Sequence, residues 1–287
     1  VLDGAKALAL PTKLGQSLII EETSSGFVSW KTYLNTNELW IDAEFDLNNL
    51  DVLKTNNAEK SSKIQQVLKT CKEINSKFLA ESKGIKALSK IEFDKDWGLG
   101  SSSSMITNVA AWANIDPFEL NDNVFGGSGY DIACANASSP IFYQKINNLP
   151  EWSNASFNPL FHEQLWFVYL GKKKDSRQAI ADYKSKSKPS PETINSISDI
   201  SNKISNTLDI QEFEALLNQH EEIVAKQLQI PTIKQQLFSD YPKTIKSLGA
   251  WGGDFIMVTG NKTDLEYFSK KGYATILSYQ QIILNES

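Results

Sequence analysis

Three glycine-rich segments hold the residues of this chain whose types and spacing could do chemistry. The first, Gly98-Leu99-Gly100-Ser101-Ser102-Ser103-Ser104, runs into Met105, Ile106, Val109, Ala110 and Ala113, a spacing that predicts a helix. A loop of this kind at a helix start offers unpaired backbone N–H groups, the positive end of the helix dipole and four hydroxyls, which suit a phosphate. The same residues without a ligand are a Ser-rich N-cap. The segment is neither the common P-loop, whose lysine it lacks, nor the dinucleotide-binding GxGxxG. The second segment places Gly126, Gly127, Ser128 and Gly129 ahead of Asp131. A carboxylate on such a turn can act as a general base, bind Mg²⁺ or cap a helix. The third, Gly249-Ala250-Trp251-Gly252-Gly253-Asp254, lies between two apolar runs and by itself reads as a turn joining strands.

These loops need elements to hold them. Ala7–Leu10, Gln16–Ile20, Gly26–Tyr33 and Glu38–Phe45 read as strands of one antiparallel or mixed sheet. Ile64, Val67, Leu68, Cys71, Ile74, Phe78 and Leu79 recur at helical spacing and predict a helix from about Ala58 to Glu81, its seam on that sheet, followed by a strand near 84–93. Residues 172–191, with Lys172, Lys173, Lys174, Lys184, Lys186, Pro189 and Pro191, read as a loop and hinge after a strand at Leu165–Leu170. Two amphipathic helices follow, Ile194 to Leu208 and Ile210 to Leu228. The chain then closes with strands near 244–248, 254–259 and 273–279 and a helix near 262–271. We expect two domains, 1–160 and 161–287.

A length of 287 residues fits two domains, and 41% hydrophobic with 22% charged residues is ordinary globular composition. Lys plus Arg number 29 against 34 Asp plus Glu, a formal charge of −5, so no basic excess favours nucleic acid. No apolar run approaches the roughly 18 residues of a membrane span. Two cysteines, Cys71 and Cys134, make a disulfide framework unexpected and fit a cytoplasmic location. With His162 and His220 they share no metal-ligand spacing, so any metal should be held by oxygen. His220 lies on an apolar seam and reads as a hydrogen-bonded core residue.

Together, in order and spacing, the segments resemble the motifs of the GHMP superfamily of small-molecule kinases. Gly98–Ser104 looks like that family's second motif, the Gly-Ser-Gly-Tyr-Asp-Ile-Ala run at 127–133 like its substrate-side aspartate segment, and Gly249–Asp254 like its third motif, with Trp251 in place of a glycine. Val1 to Thr12 resembles the tail of its first motif, and the Gly-Tyr-Asp-Ile-Ala run points to a subgroup close to the mevalonate-pathway kinases of isoprenoid synthesis.

The resemblance implies a two-domain α/β fold whose C-terminal domain is ferredoxin-like, with ATP and Mg²⁺ as cofactors. It implies that the amides of Gly98, Leu99, Gly100, Ser101, Ser102, Ser103 and Ser104 hold phosphate oxygens, that Ser102 helps hold Mg²⁺, and that Asp131 takes the proton of the attacking hydroxyl. Gly127, Ser128, Gly129, Gly249, Gly252 and Gly253 would line the substrate side, Lys246 would meet an anionic substrate, and Glu119 is a second candidate Mg²⁺ ligand or else a surface helix residue. Mevalonate or phosphomevalonate is the expected small-molecule substrate, with no nucleic-acid or membrane partner and room for a homodimer. A diphosphomevalonate decarboxylase and a catalytically silent metabolite-binding protein share the fold and stay open. The family's first-motif lysine would lie upstream of Val1, and supply from there or from within the chain, by Lys246 or Lys13, both stay open.

Overall fold

The structure, a computed structural model, describes residues 1–172, 176–249, 251 and 253–284. In chain order the strands are β1 (Ala7–Ala9), β2 (Gln16–Glu22), β3 (Phe27–Tyr33), β4 (Leu39–Asp46), β5 (Val52–Thr55), β6 (Ile85–Ile91), β7 (Ile141–Ile146), β8 (Leu149–Asn154), β9 (Leu165–Tyr169), β10 (Ile245–Ser247), β11 (Phe255–Thr259) and β12 (Ile276–Ser278). The α-helices are α1 (Ala58–Ile74), α2 (Ser101–Ala113), α3 (Pro117–Val124), α4 (Tyr130–Ala135), α5 (Ser176–Lys184), α6 (Pro191–Asn206), α7 (Ile210–Leu228), α8 (Ile233–Leu237), α9 (Glu266–Lys270) and α10 (Tyr279–Ile282). Among the described residues no helix is long and apolar enough to cross a membrane.

Two compact units form, and they interleave along the chain in place of the single boundary expected near residue 160. Unit I comprises Val1–Lys13, Asp96–Gly98 and Ala137–Ser287; unit II comprises Leu14–Lys95 and Leu99–Asn136.

Unit II is a five-stranded sheet in the order β2-β6-β3-β4-β5, with β3 parallel to β6 and the other pairs antiparallel. Alternation along β3 and β4 turns Val28, Trp30, Ile41, Ala43 and Phe45 to one face. There they meet Ile64, Val67, Leu68 and Cys71 of α1 and Ile106, Val109 and Ala110 of α2 in one core. The indole N–H of buried Trp30 donates to Thr32 Oγ1 at 2.9 Å, so no polar atom of that pair is stranded. Helix α1 is shorter than its periodicity predicts. Asn75 leaves helical geometry at φ −123°, its N–H capping Cys71 O and its amide donating to Ala113 O at 2.8 Å. The apolar residues Phe78 and Leu79 are still buried, but in a turn.

Unit I carries a four-stranded antiparallel sheet in the order β10-β11-β9-β12. Numbered from β9, that is the 4-1-3-2 order of a ferredoxin-like layer, with α6 and α7 between its first and second strands. Val168, Tyr241, Ile256, Val258 and Phe268 form its core. A second, three-stranded sheet, β1-β7-β8, also belongs to this unit. Strand β1 therefore does not join β2–β4 as expected; Ala7–Ala9 pairs antiparallel with β7. Helix α6 packs on β1, where Lys6 N–H donates to Ser198 Oγ at 3.0 Å and Ser201 Oγ donates to Lys6 O at 2.9 Å. The stretch read as loop and hinge holds α5, whose Ala179 is buried. Residues 173–175, including two members of the lysine run, lie outside the described residues. Both cysteines are free.

Candidate functional site

In unit II the serine run opens α2. Gly100 is its N-cap at φ +79° and contributes no side-chain cap, and the first turn holds no acidic residue. The first intrahelical N–H is that of Ser104, bonded to Gly100 O at 2.9 Å, so the amides of Ser101, Ser102 and Ser103 are the orphan donors of the helix start. Among the described residues, the hydroxyls of these three serines make no hydrogen bond either, and Ser102 is exposed. Ser104 differs. Its hydroxyl donates to Gln16 Oε1 at 2.9 Å or to its own turn, Gln16 Nε2 donates to Ser89 Oγ at 2.9 Å, and Asn108 Nδ2 donates to Gln16 O at 2.8 Å. Ser104 thus ties α2 to β2 and aims the preceding amides; nothing in the sequence pointed to Gln16.

The second segment shapes the start of α4. Gly126, Gly127 and Gly129 take φ of +66°, +106° and +77°, values open to glycine and strained for other residues. Asn121, at the end of α3, fixes this loop by accepting from Gly126 N–H at 2.7 Å and donating to Gly126 O at 3.0 Å. Ser128 Oγ accepts from Tyr130 N–H at 3.3 Å. Asp131 then falls in the first turn of α4, exposed to solvent, and α4 packs against α2. Although the residue as a whole is exposed, the protein packed around its carboxyl group desolvates that group and raises its pKa. The same cause, with the Asp131 charge added, pushes the Cys134 thiol up to about 12, which leaves it unreactive. Glu119 is exposed in the first turn of α3, where its charge complements the helix dipole, while its neighbour Leu120 is buried in the core. No three His, Cys, Asp or Glu side chains gather as a metal cluster among the described residues.

In unit I the third segment links β10 to β11, antiparallel neighbours, in keeping with a strand-to-strand turn. Ala250 and Gly252 lie outside the described residues. Gly249 (φ +59°) and Trp251 (φ +60°) are both left-handed, and Trp251 N–H donates to Gly249 O at 3.0 Å. The Trp251 ring stacks on Tyr183 of α5 with centroids 5.1 Å apart, and the Tyr183 hydroxyl donates to Asp3 Oδ2. Lys246 is engaged: its ammonium bonds Glu221 Oε1 at 2.8 Å and Ser247 O at 2.7 Å. Next to Glu221, the Nδ1 of His220 is buried with no hydrogen-bond partner among the described residues. Desolvation first, and the Lys246 ammonium second, hold this imidazole well below its usual pKa, hence neutral. Finally, Gly98 (φ +68°) lies against Asp254: a Cβ built there would sit 2.3 Å from the Asp254 carboxyl carbon. That contact joins the first glycine segment to the last residue of the third, and a sequence pattern holds no sign of it.

No protein-family model and no curated protein matches the sequence. Solved structures do match its fold along nearly the whole chain. Mevalonate kinase from Methanococcus jannaschii is 16% identical with a TM-score of 0.66, covering 99% of this chain and 92% of that one. Mevalonate kinase from L. major, in complex with R-mevalonate, is 14% identical with a TM-score of 0.67, covering 99% and 90%. Streptococcus pneumoniae phosphomevalonate kinase, with phosphomevalonate and AMPPNP, is 14% identical with a TM-score of 0.61, covering 98% and 96%. The fold is that of the GHMP kinases. In this fold the positive φ angles at Gly98, Gly100, Gly126, Gly127, Gly129 and Gly249 account for glycine at each position.

Proposed function

We propose that the protein is an ATP-dependent kinase that phosphorylates a hydroxyl or phosphate group of a small metabolite, with mevalonate or phosphomevalonate the first candidates. The observation that carries this reading is the pairing, within unit II, of an acid-free helix start with free serine hydroxyls and an adjacent helix whose first turn bears Asp131. The first fits a triphosphate: Ser101–Ser103 present amides and hydroxyls that no other described residue uses, and the left-handed glycines allow close approach. Ser102 Oγ is a hard oxygen donor suited to Mg²⁺, with phosphate oxygens and water as the remaining ligands; the ion, when bound, neutralises phosphate charge.

Asp131 would accept the proton of the acceptor hydroxyl, and its raised pKa makes it a stronger base than an ordinary aspartate. Positioning does most of the work in such transfers, so Ser104, Gln16 and Asn121 matter by holding the two helix starts. The mevalonate-type acceptor is supported by the substrates in the neighbours' complexes.

The test is ADP release with Mg·ATP and a panel of mevalonate, phosphomevalonate, diphosphomevalonate, homoserine and sugars. ADP should form with one of the first two, without CO₂, and Asp131→Asn should lower turnover by about 10²- to 10⁴-fold while ATP affinity holds. ADP release with CO₂ from diphosphomevalonate would identify a decarboxylase. Full turnover by Asp131→Asn would refute the assigned base.

A further inference from the structure

A pocket of about 210 Å³ lies within unit I, between α7, the turn into α8, and β10 with the segment that follows it. Its size is below the roughly 300 Å³ at which ordinary ligand pockets begin, so its occupant is small. One wall is Glu221, whose side chain is 7% exposed. Oε1 of that carboxylate takes both of its bonds, from Lys246 Nζ at 2.8 Å and from Ser247 Oγ at 2.7 Å. Oε2 accepts none among the described residues. Oε2 is not sealed from solvent, and Glu221 lines the pocket, so this acceptor is open to whatever enters it.

The remaining wall selects the rest of the occupant. Val224, Leu228 and Ile233 make it aliphatic, and Trp251 adds an aromatic surface held by its stack on Tyr183. Among the described residues no Lys or Arg lines the pocket, so a phosphate or carboxylate would face Glu221 without compensation. A cation gains little, because the Lys246 ammonium already neutralises the carboxylate. We propose that this pocket binds a small uncharged aliphatic alcohol or amide, its O–H or N–H donating to Glu221 Oε2 and its body lying against Leu228, Ile233 and Trp251. The site is independent of the phosphoryl-transfer reading, although Trp251 belongs to the third glycine segment, so that an occupant would share a wall with that loop.

Three five-carbon probes with one body and different heads test this on the whole chain: 3-methylbutan-1-ol, 3-methylbutan-1-amine and 3-methylbutanoate, titrated while the methyl NMR signals of Val224, Leu228 and Ile233 are followed. The alcohol should give saturable shifts confined to these methyls. The carboxylate should bind at least tenfold more weakly, and the ammonium no tighter than the alcohol. Ala225→Met, which narrows the pocket and leaves Glu221 untouched, should weaken the alcohol at least tenfold. No saturable shift from the alcohol, tighter binding of either charged probe, or equal alcohol binding by a folded Ala225→Met would each overturn the proposal; the three-probe comparison stands on wild-type protein alone.

Discussion

Replacing Gly98 by Ala adds one carbon where the chain has no room for it. At φ +68° an L-residue costs about 1–2 kcal/mol more than glycine, whatever surrounds it. The added Cβ would also lie 2.3, 2.4 and 2.7 Å from the carboxyl atoms of Asp254, where contacts under 3.0 Å essentially never occur. The carboxylate must retreat by at least 0.7 Å (3.0 − 2.3). The Asp254 backbone is pinned, its carbonyl accepting from Leu170 N–H at 2.8 Å, so the side chain must leave its rotamer, at about 0.5–1.5 kcal/mol. Gly98→Ala should therefore lose about 1.5–3.5 kcal/mol of stability by the sum of these two effects. If the residues after Gly98 shift by even about 1 Å, turnover should drop on the order of 10²-fold. Denaturant unfolding of the wild type, Gly98→Ala, Asp254→Ala and the double variant separates the parts. In the Asp254→Ala background, Gly98→Ala should cost only the backbone share, about 1–2 kcal/mol. An equal cost in both backgrounds, or a loss in the wild type below about 0.5 kcal/mol, would refute the steric argument.

Lys246→Met should destabilise by about 3–5 kcal/mol, because both side chains of its ion pair are largely buried and Glu221 would keep its charge with only Ser247 beside it. Chemical denaturation checks this, and a loss under about 1 kcal/mol would mean the pair behaves as a surface contact. His220, neutral in the fold, contributes stability that is complete above the unfolded-state pKa of about 6.5 and is lost as the pH falls toward its lowered folded value. Between pH 7 and 5 the wild type should lose more stability than His220→Leu; parallel curves would contradict the buried neutral imidazole. For Asp131 the raised pKa moves the acid limb of kcat/KM to higher pH than an ordinary aspartate would give, and Asp131→Asn should remove that limb from the residual rate.

Elements whose pattern is local were legible in the chain. The apolar spacing of α6 and α7 and the alternation of β3 and β4 needed no partner to be recognised. Features decided by distant partners were not. Strand β1 reads like its neighbours β2–β4, and only its pairing with β7 assigns it to another sheet. Helix α1 ends where Asn75 finds Ala113 O, although its apolar rhythm continues to Leu79. Helix α5 hides in a lysine-rich stretch with too few apolar residues to show a stripe. The same division runs through the candidate site. Glycines at positive φ announce themselves by composition, as at Gly126, Gly127 and Gly129. The pairs Gly98 with Asp254, Lys246 with Glu221 and Tyr183 with Asp3 join residues far apart in the chain and leave no trace in it.

The interleaving of the units sets an order of events while the chain is being made. Ala9 and its partner Ile141 are separated by 132 positions (141 − 9). At about 5–20 residues per second that is a wait of roughly 7–26 s between the appearance of β1 and that of the strand it needs. Everything unit II requires, Leu14 to Asn136 apart from the short passage through Asp96–Gly98, has been translated before β7 begins. Unit II can therefore close first, on the ribosome, with the segment around β1 left outside it as an unpaired strand. Until β7 arrives, that segment stays open to chaperones and to other nascent chains.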